Sequence, residues 1–257
     1  MLRLAVPICL VLAFALSHPA AAETLNRSLS GKRLELRMAC PTHVEIQPRE
    51  DLVDKVEIEA SADDQAALDG LHVSGGEIVA IERRGHCSSD DDDDSSFELT
   101  LHVPPGLAID IGESSAGEYE IGDVGGPLKM HLSGAADLHA ERLSSLELDS
   151  AGAAEIRIDR LDGPGAVALR GGGELTIADG AMPSLKLESR GAGEIQVEGG
   201  EIGTLNISLA GAGNAEIQAS VRDATLEILG VGDIEVDKVT GKLSRKILGL
   251  GNIDIGS

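Results

Sequence analysis

Seven carboxylates recur at matching points in about the last 150 residues of the chain: Glu118, Asp137, Glu155, Glu174, Glu194, Glu216 and Asp233, with Asn252 in an eighth place. Each stands directly before an apolar-x-apolar triplet such as Ile156-Arg157-Ile158. If the repeats stack, these side chains form a column with neighbours about 4.8 Å apart, where two charges repel by roughly 0.9 kcal/mol in bulk water. Carboxylate oxygens so placed suit Ca²⁺. A solvated edge where a polar residue ends each turn is the alternative. The expectation is therefore a protein with no resident cofactor, with Ca²⁺ the candidate ion and these seven acids its candidate ligands.

Other reactive side chains are scattered. Cys40 and Cys87 form a pair that, in an oxidising compartment, is more often a disulfide than a metal site; two separate thiols are the alternative. Closing the intervening loop would contribute roughly 3 to 4 kcal/mol on the chain-entropy model. His86 beside Cys87 lacks the second close ligand pair of a zinc site. The run Asp90 to Asp94, flanked by serines, lacks the glycine and terminal glutamate of an EF-hand and reads as a solvated loop. Arg157, Arg170 and Arg190 fall on successive repeats and read as different slots. No G-x-S-x-G elbow or phosphate loop occurs, so no catalytic residue is assigned.

The elements that must carry these residues are short strands. Repeats beginning at Ile109, Leu128, Leu146, Val167, Leu185, Ile207, Leu226 and Leu243 lie 19, 18, 21, 18, 22, 19 and 17 residues apart. Each reads apolar-x-apolar, a Gly/Ala/Ser stretch, an acid or Asn, then a second apolar-x-apolar triplet. Alternation marks half-buried strands, and glycine suits the turns between them. Repetition of residue classes at a period near 20 describes an all-β parallel β-helix, a β-solenoid of about eight coils and about 40 Å. The last coil has no evident polar cap: either Lys242, Arg245 and Lys246 protect its edge, or it pairs end to end with a second copy as a homodimer.

Residues 1–22 read as a signal peptide: Arg3, an apolar run from Leu4 to Leu16, then Pro19-Ala20-Ala21-Ala22, with cleavage after Ala22. Residues 23–105 form a strand-rich N-terminal cap region with one short helix near Gln65 to Leu68, and 106–257 form the Gly-rich solenoid. No later apolar run reaches membrane-spanning length. The expected location is periplasmic or extracellular. A net charge of −23 disfavours nucleic acid. The whole sequence has no Trp, one Tyr and two Phe, which leaves little for stacking on bases or sugars.

The strings SGAADLHA, GAGEIQV, GAGNAEIQA, GVGDIEV and GLGNIDI resemble the head GIN domain of the autotransporter adhesin family DUF2807. The order of segments is also similar: a signal, a strand-rich lead, an F-x-L-x-L-x-V-P strand, then the G-x-G-[DN]-I coils, over roughly residues 30–256. The resemblance implies a β-helical fold, an extracytoplasmic site and no established activity. The reading is an exported, non-catalytic module that binds an envelope or extracellular partner, or serves a structural role. A polysaccharide lyase or esterase on the same scaffold is the alternative.

Overall fold

A computed structural model describes residues 23–39, 42–63, 65–83, 97–114 and 117–256. The signal segment, Cys40, Cys87 and the run Asp90 to Asp94 lie outside the described residues. The N-terminal part contains β1 (Glu23–Ser30), β2 (Arg33–Met38), β3 (His43–Pro48), β4 (Lys55–Ala62), α1 (Gln65–Asp69), β5 (Leu71–Ser74), β6 (Val79–Arg83) and β7 (Phe97–Val103). The repeats supply β8 (Ala108–Ser114), β9 (Gly117–Ile121), β10 (Pro127–Leu132), β11 (Ala136–Leu143), β12 (Ser145–Ser150), β13 (Ala154–Leu161) and β14 (Gly165–Leu169). They continue with β15 (Gly172–Ser189), β16 (Ala192–Val197), β17 (Glu201–Leu209), β18 (Asn214–Ile228), β19 (Ile234–Val239), β20 (Leu243–Ile247) and β21 (Ile253–Ile255).

The repeats stack in parallel as the alternation requires, and the chain is a parallel β-solenoid. One face runs β8, β10, β12, β14, the second half of β15, β17, the second half of β18, then β20. A second face runs β9, β11, β13, the first half of β15, β16, the start of β18, β19, then β21. A short third side returns the chain to the first face and buries Leu143, Leu161, Met182, Ile202 and Val221 in turn. Inward Leu, Ile and Val from all three sides form one cluster that reaches from Leu34 to Ile253. Burial of about 1.5 to 3 kcal/mol per such side chain supplies the drive to stack.

The start of the stack is interleaved. β2 pairs in parallel with both β8 and β6, and β3 with both β9 and β7. β2 and β3 therefore lie in the stack between β6 and β7 on one side and β8 and β9 on the other. Antiparallel β1, β4 and β5 close that end, β4 pairing with β1 and β7, and β5 with β6. Terminal repeats of solenoids are commonly atypical in this way.

Register also corrects the repeat frame. Ile109, Leu128, Leu146, Gly165, Leu185, Leu205, Ala224 and Leu243 occupy one slot, at intervals of 19, 18, 19, 20, 20, 19 and 19 residues. The frame read from the sequence slips by two at Val167, Ile207 and Leu226. The cause is physical: three inward residues alternate on each strand, so apolar-x-apolar fits equally well at two positions.

Candidate functional site

The candidate acids sit on the corner between the two long faces. Seven successive coils reach that corner through a glycine: Gly134, Gly152, Gly171, Gly191, Gly211, Gly230 and Gly249 stack on one another. A Cβ on any from Gly152 onward would overlap the carbonyl oxygen of the glycine one coil earlier. This close approach of backbone to backbone is what glycine alone permits. The small residues leave an open groove of about 820 Å³ along the corner, walled by Gly172, Gly173, Ala192 and Gly193 and edged by Asp137, Glu155, Glu174 and Glu194.

Six of the seven predicted acids form the ladder. Glu118 is beside Asp137, Asp137 beside Glu155, Glu155 beside Glu174, and Glu174 beside Glu194. The next place belongs to Asn214, not Glu216. Glu216 stands in the neighbouring outward column with Gln196 and Glu235, which is the same two-residue slip. Asp233 and Asn252 then complete the ladder in a different posture. The Asp233 amide donates to Asn214 Oδ1 at 3.1 Å, and the Asn252 amide donates to Asp233 Oδ1 at 2.8 Å. Towards the N-terminal end the column continues through His43, which lies between Glu98 and Glu118, with Nδ1 3.1 Å from Glu118 Oε2. The sequence offered no signal for His43 because its coil is interleaved.

Carboxylates from Glu118 to Glu194 thus make an exposed, unbroken run of five. Among the described residues, no group of three or more His, Cys, Asp or Glu side chains is placed to hold a metal ion.

The arginines are structural partners. Arg170 and Arg190 share one slot on adjacent coils, because Leu169 lies beside Ser189; the expectation of different slots was a frame error. Arg170 donates to Asp149 at 2.6 Å, and Glu188 accepts from Lys186 at 2.6 Å and Arg190 at 3.3 Å. Lys186, with Arg190 and Arg170 nearby, holds the Glu188 carboxyl below its ordinary range. On the third side Arg160 bridges Asp162 at 2.9 Å and Asp179 at 2.7 Å, and Arg142 donates to Asp162 at 3.1 Å. Arg160, then Arg142, lowers the Asp162 pKa.

Two further features lie off the ladder. Ser150 and Ser189 occupy an inward slot that holds Leu132, Leu169, Leu209 and Ile228 on other coils, and their hydroxyls have no hydrogen-bond partner among the described residues. The last two coils expose Leu229, Val231, Leu248 and Leu250 on the corner, where earlier coils carry small or polar residues. No helix among the described residues is long and apolar enough to cross a membrane.

No curated protein matches the chain. Its fold is similar to that of a putative adhesin from Bacteroides fragilis (TM-score 0.52, 14% identity, 92% of this chain and 98% of that one). It is similar also to a putative lipid binding protein from Parabacteroides distasonis (TM-score 0.57, 16% identity, 92% and 97%). A putative adhesin from Parabacteroides merdae aligns with TM-score 0.56 and 13% identity over 91% and 97% of the two chains. None of these three is described as an enzyme. Residues 138–256 match the family model described as putative auto-transporter adhesin, head GIN domain. The match starts well after the interleaved coils, whose atypical order separates them from the regular repeat. Over residues 138–256, a little under half of its length, the chain is similar to the DUF2807 family, the head GIN domain of the putative auto-transporter adhesins.

Proposed function

We propose that this protein is an exported, non-catalytic binding module that holds a surface partner or polymer along its long faces. The observation that carries the reading is the construction of those faces. The described grooves are open, follow the stacking axis across several coils, and are edged by repeated side chains rather than by one converging cluster. Such a surface presents the same chemistry at each coil, which suits a partner that is itself extended. The family description and the two adhesin-like folds support it. Export rests on residues 1–22.

The test separates binding from turnover. The full chain is incubated with purified envelope and extracellular polysaccharides, and both retention and polymer chain length are measured. Retention with unchanged chain length is expected. A fall in chain length with new ends would replace this reading with the lyase or esterase alternative.

Two finer parts belong to the same proposal. Ca²⁺ bridges the carboxylates from Glu118 to Glu194 and relieves their repulsion; a calorimetric melt should rise between chelator and millimolar Ca²⁺, and an unchanged melt rejects the idea. The final coil pairs end to end with a second copy through Leu243, Ile247, Leu248 and Leu250. Light scattering should then show a mass that doubles with concentration, and a constant monomer mass rejects it.

A further inference from the structure

The first long face is a regular sheet interrupted at one place. Along one outward slot the side chains read Glu82, Arg37, then Gly112, then His131 and Asp149. Gly112 removes the side chain from the middle of this column. Beside it the β8–β10 register shifts between Met130 and Leu132, so a bulge in β8 faces His131. Glycines in strands and bulges mark points where a sheet opens towards a ligand.

The result is a notch of about 590 Å³ with Gly112 at its base, bordered by Arg37, Arg83, Lys129 and His131. That volume is within the range of small-ligand sites. Glu82 and Asp110 also border it, but Asp110 is engaged by Arg33 at 2.6 Å. Lys129 leans on Glu147 at 2.9 Å. Arg37 is 64% exposed and lies 3.9 Å from Glu35, beyond hydrogen-bond reach. Its guanidinium fork is available to meet a tetrahedral or planar anion through two parallel bonds. Arg83 is fixed over the Phe97 ring, 4.1 Å from its centroid. On a chain of net charge −23, this gathering of cations stands apart from the surrounding field.

We propose that this notch binds a sulfate or phosphate ester carried by a glycan, and so supplies the anionic specificity of the polymer-binding face. The inference rests on the reading of the module as a polymer binder. With almost no aromatic residues to stack on sugar rings, recognition falls to the charged substituent. Arg37 takes the ester oxygens, while Lys129 and His131 flank them across the glycine gap.

The test measures retention of dextran sulfate and of unsulfated dextran by the full chain at low salt, with inorganic sulfate as competitor. Gly112→Leu fills the notch without disturbing the sheet: a Cβ there meets nothing closer than Arg37 Cγ at 3.9 Å. Gly112→Leu and Arg37→Gln should each weaken dextran sulfate binding about tenfold, the equivalent of one good charged contact. Lys238→Gln, on the third side, should leave it unchanged. Dextran sulfate held above dextran, lost in both notch variants, supports the site. Equal retention by wild type and both variants overturns the notch yet leaves polymer binding standing. Competition by inorganic sulfate without any preference for the sulfated polymer reduces the site to a free-anion pocket and overturns the glycan assignment. Absence of binding to either polymer overturns this proposal; retention of the other polysaccharides in the preceding experiment then decides the broader one.

Discussion

At the scale of single residues, position in the coil decides what a side chain can do. Ser189 fills a slot built for a leucine, and its hydroxyl is buried without a partner among the described residues. An unmade bond of this kind costs about 1 to 3 kcal/mol, while the alanine side chain is smaller by only one oxygen. Ser189→Ala should therefore raise the unfolding free energy by about 1 kcal/mol, measured by denaturant titration; a drop would show that the hydroxyl is satisfied. Gly191→Ala should act oppositely, by about 2 kcal/mol or more, since the new methyl meets the Gly171 carbonyl. These roles were partly legible in the sequence. The ladder acids were visible because they precede each triplet, but Glu216 was placed wrongly because Ala215-Glu216-Ile217 satisfies the same alternation one pleat later. Only the pairing of Glu194 with Asn214 resolves that degeneracy.

At the scale of elements, the third side is held by ions as well as by its buried aliphatics. Asp162 accepts from Arg160 and Arg142, and Asp223 accepts from the Lys242 amide and from Arg222. The Arg160 hydrogen bond leads in lowering Asp162, and the Lys242 amide leads for Asp223. A depressed folded pKa contributes stability that is complete above the unfolded value, about 3.9 for Asp, and is lost as pH falls below it. Acid melts should lose midpoint temperature below about pH 4, and Asp162→Asn should flatten that loss; an identical acid limb in the variant would assign the loss elsewhere. Both carboxylates are partly exposed and their arginine partners lie in solvent, so the neutral-pH benefit of each pair is small. Strand and turn positions were legible from local alternation, including α1, because those signals span a few neighbours. The insertion of β2 and β3 between later strands was not, because residues such as Leu34 and Ile109 meet across a long stretch of chain that no local pattern records.

At the scale of the whole molecule, electrostatics works against the fold. A net charge of −23 on one continuous rod, with five adjacent ladder carboxylates, sums to a large self-repulsion. Salt screens that repulsion over a Debye length of about 8 to 10 Å, and it also weakens the exposed ion pairs. Since those pairs are individually weak, the first effect dominates: the melting temperature should rise between about 10 mM and 150 mM NaCl. A fall would mean that the pairs outweigh the repulsion.

The stack also distributes its length unevenly. In the eight repeats from Ile109 onward, the chain spends nine residues from the first slot to the ladder residue, from Ile109 to Glu118 as from Leu243 to Asn252. The return from ladder to next coil varies between nine and eleven. One edge of the molecule is therefore a fixed hinge-pin of backbone, and the opposite edge is a seam with slack. Sequence drift, epitope insertion or grafted loops belong at the seam, where a spare residue bows outward instead of throwing every later coil out of phase.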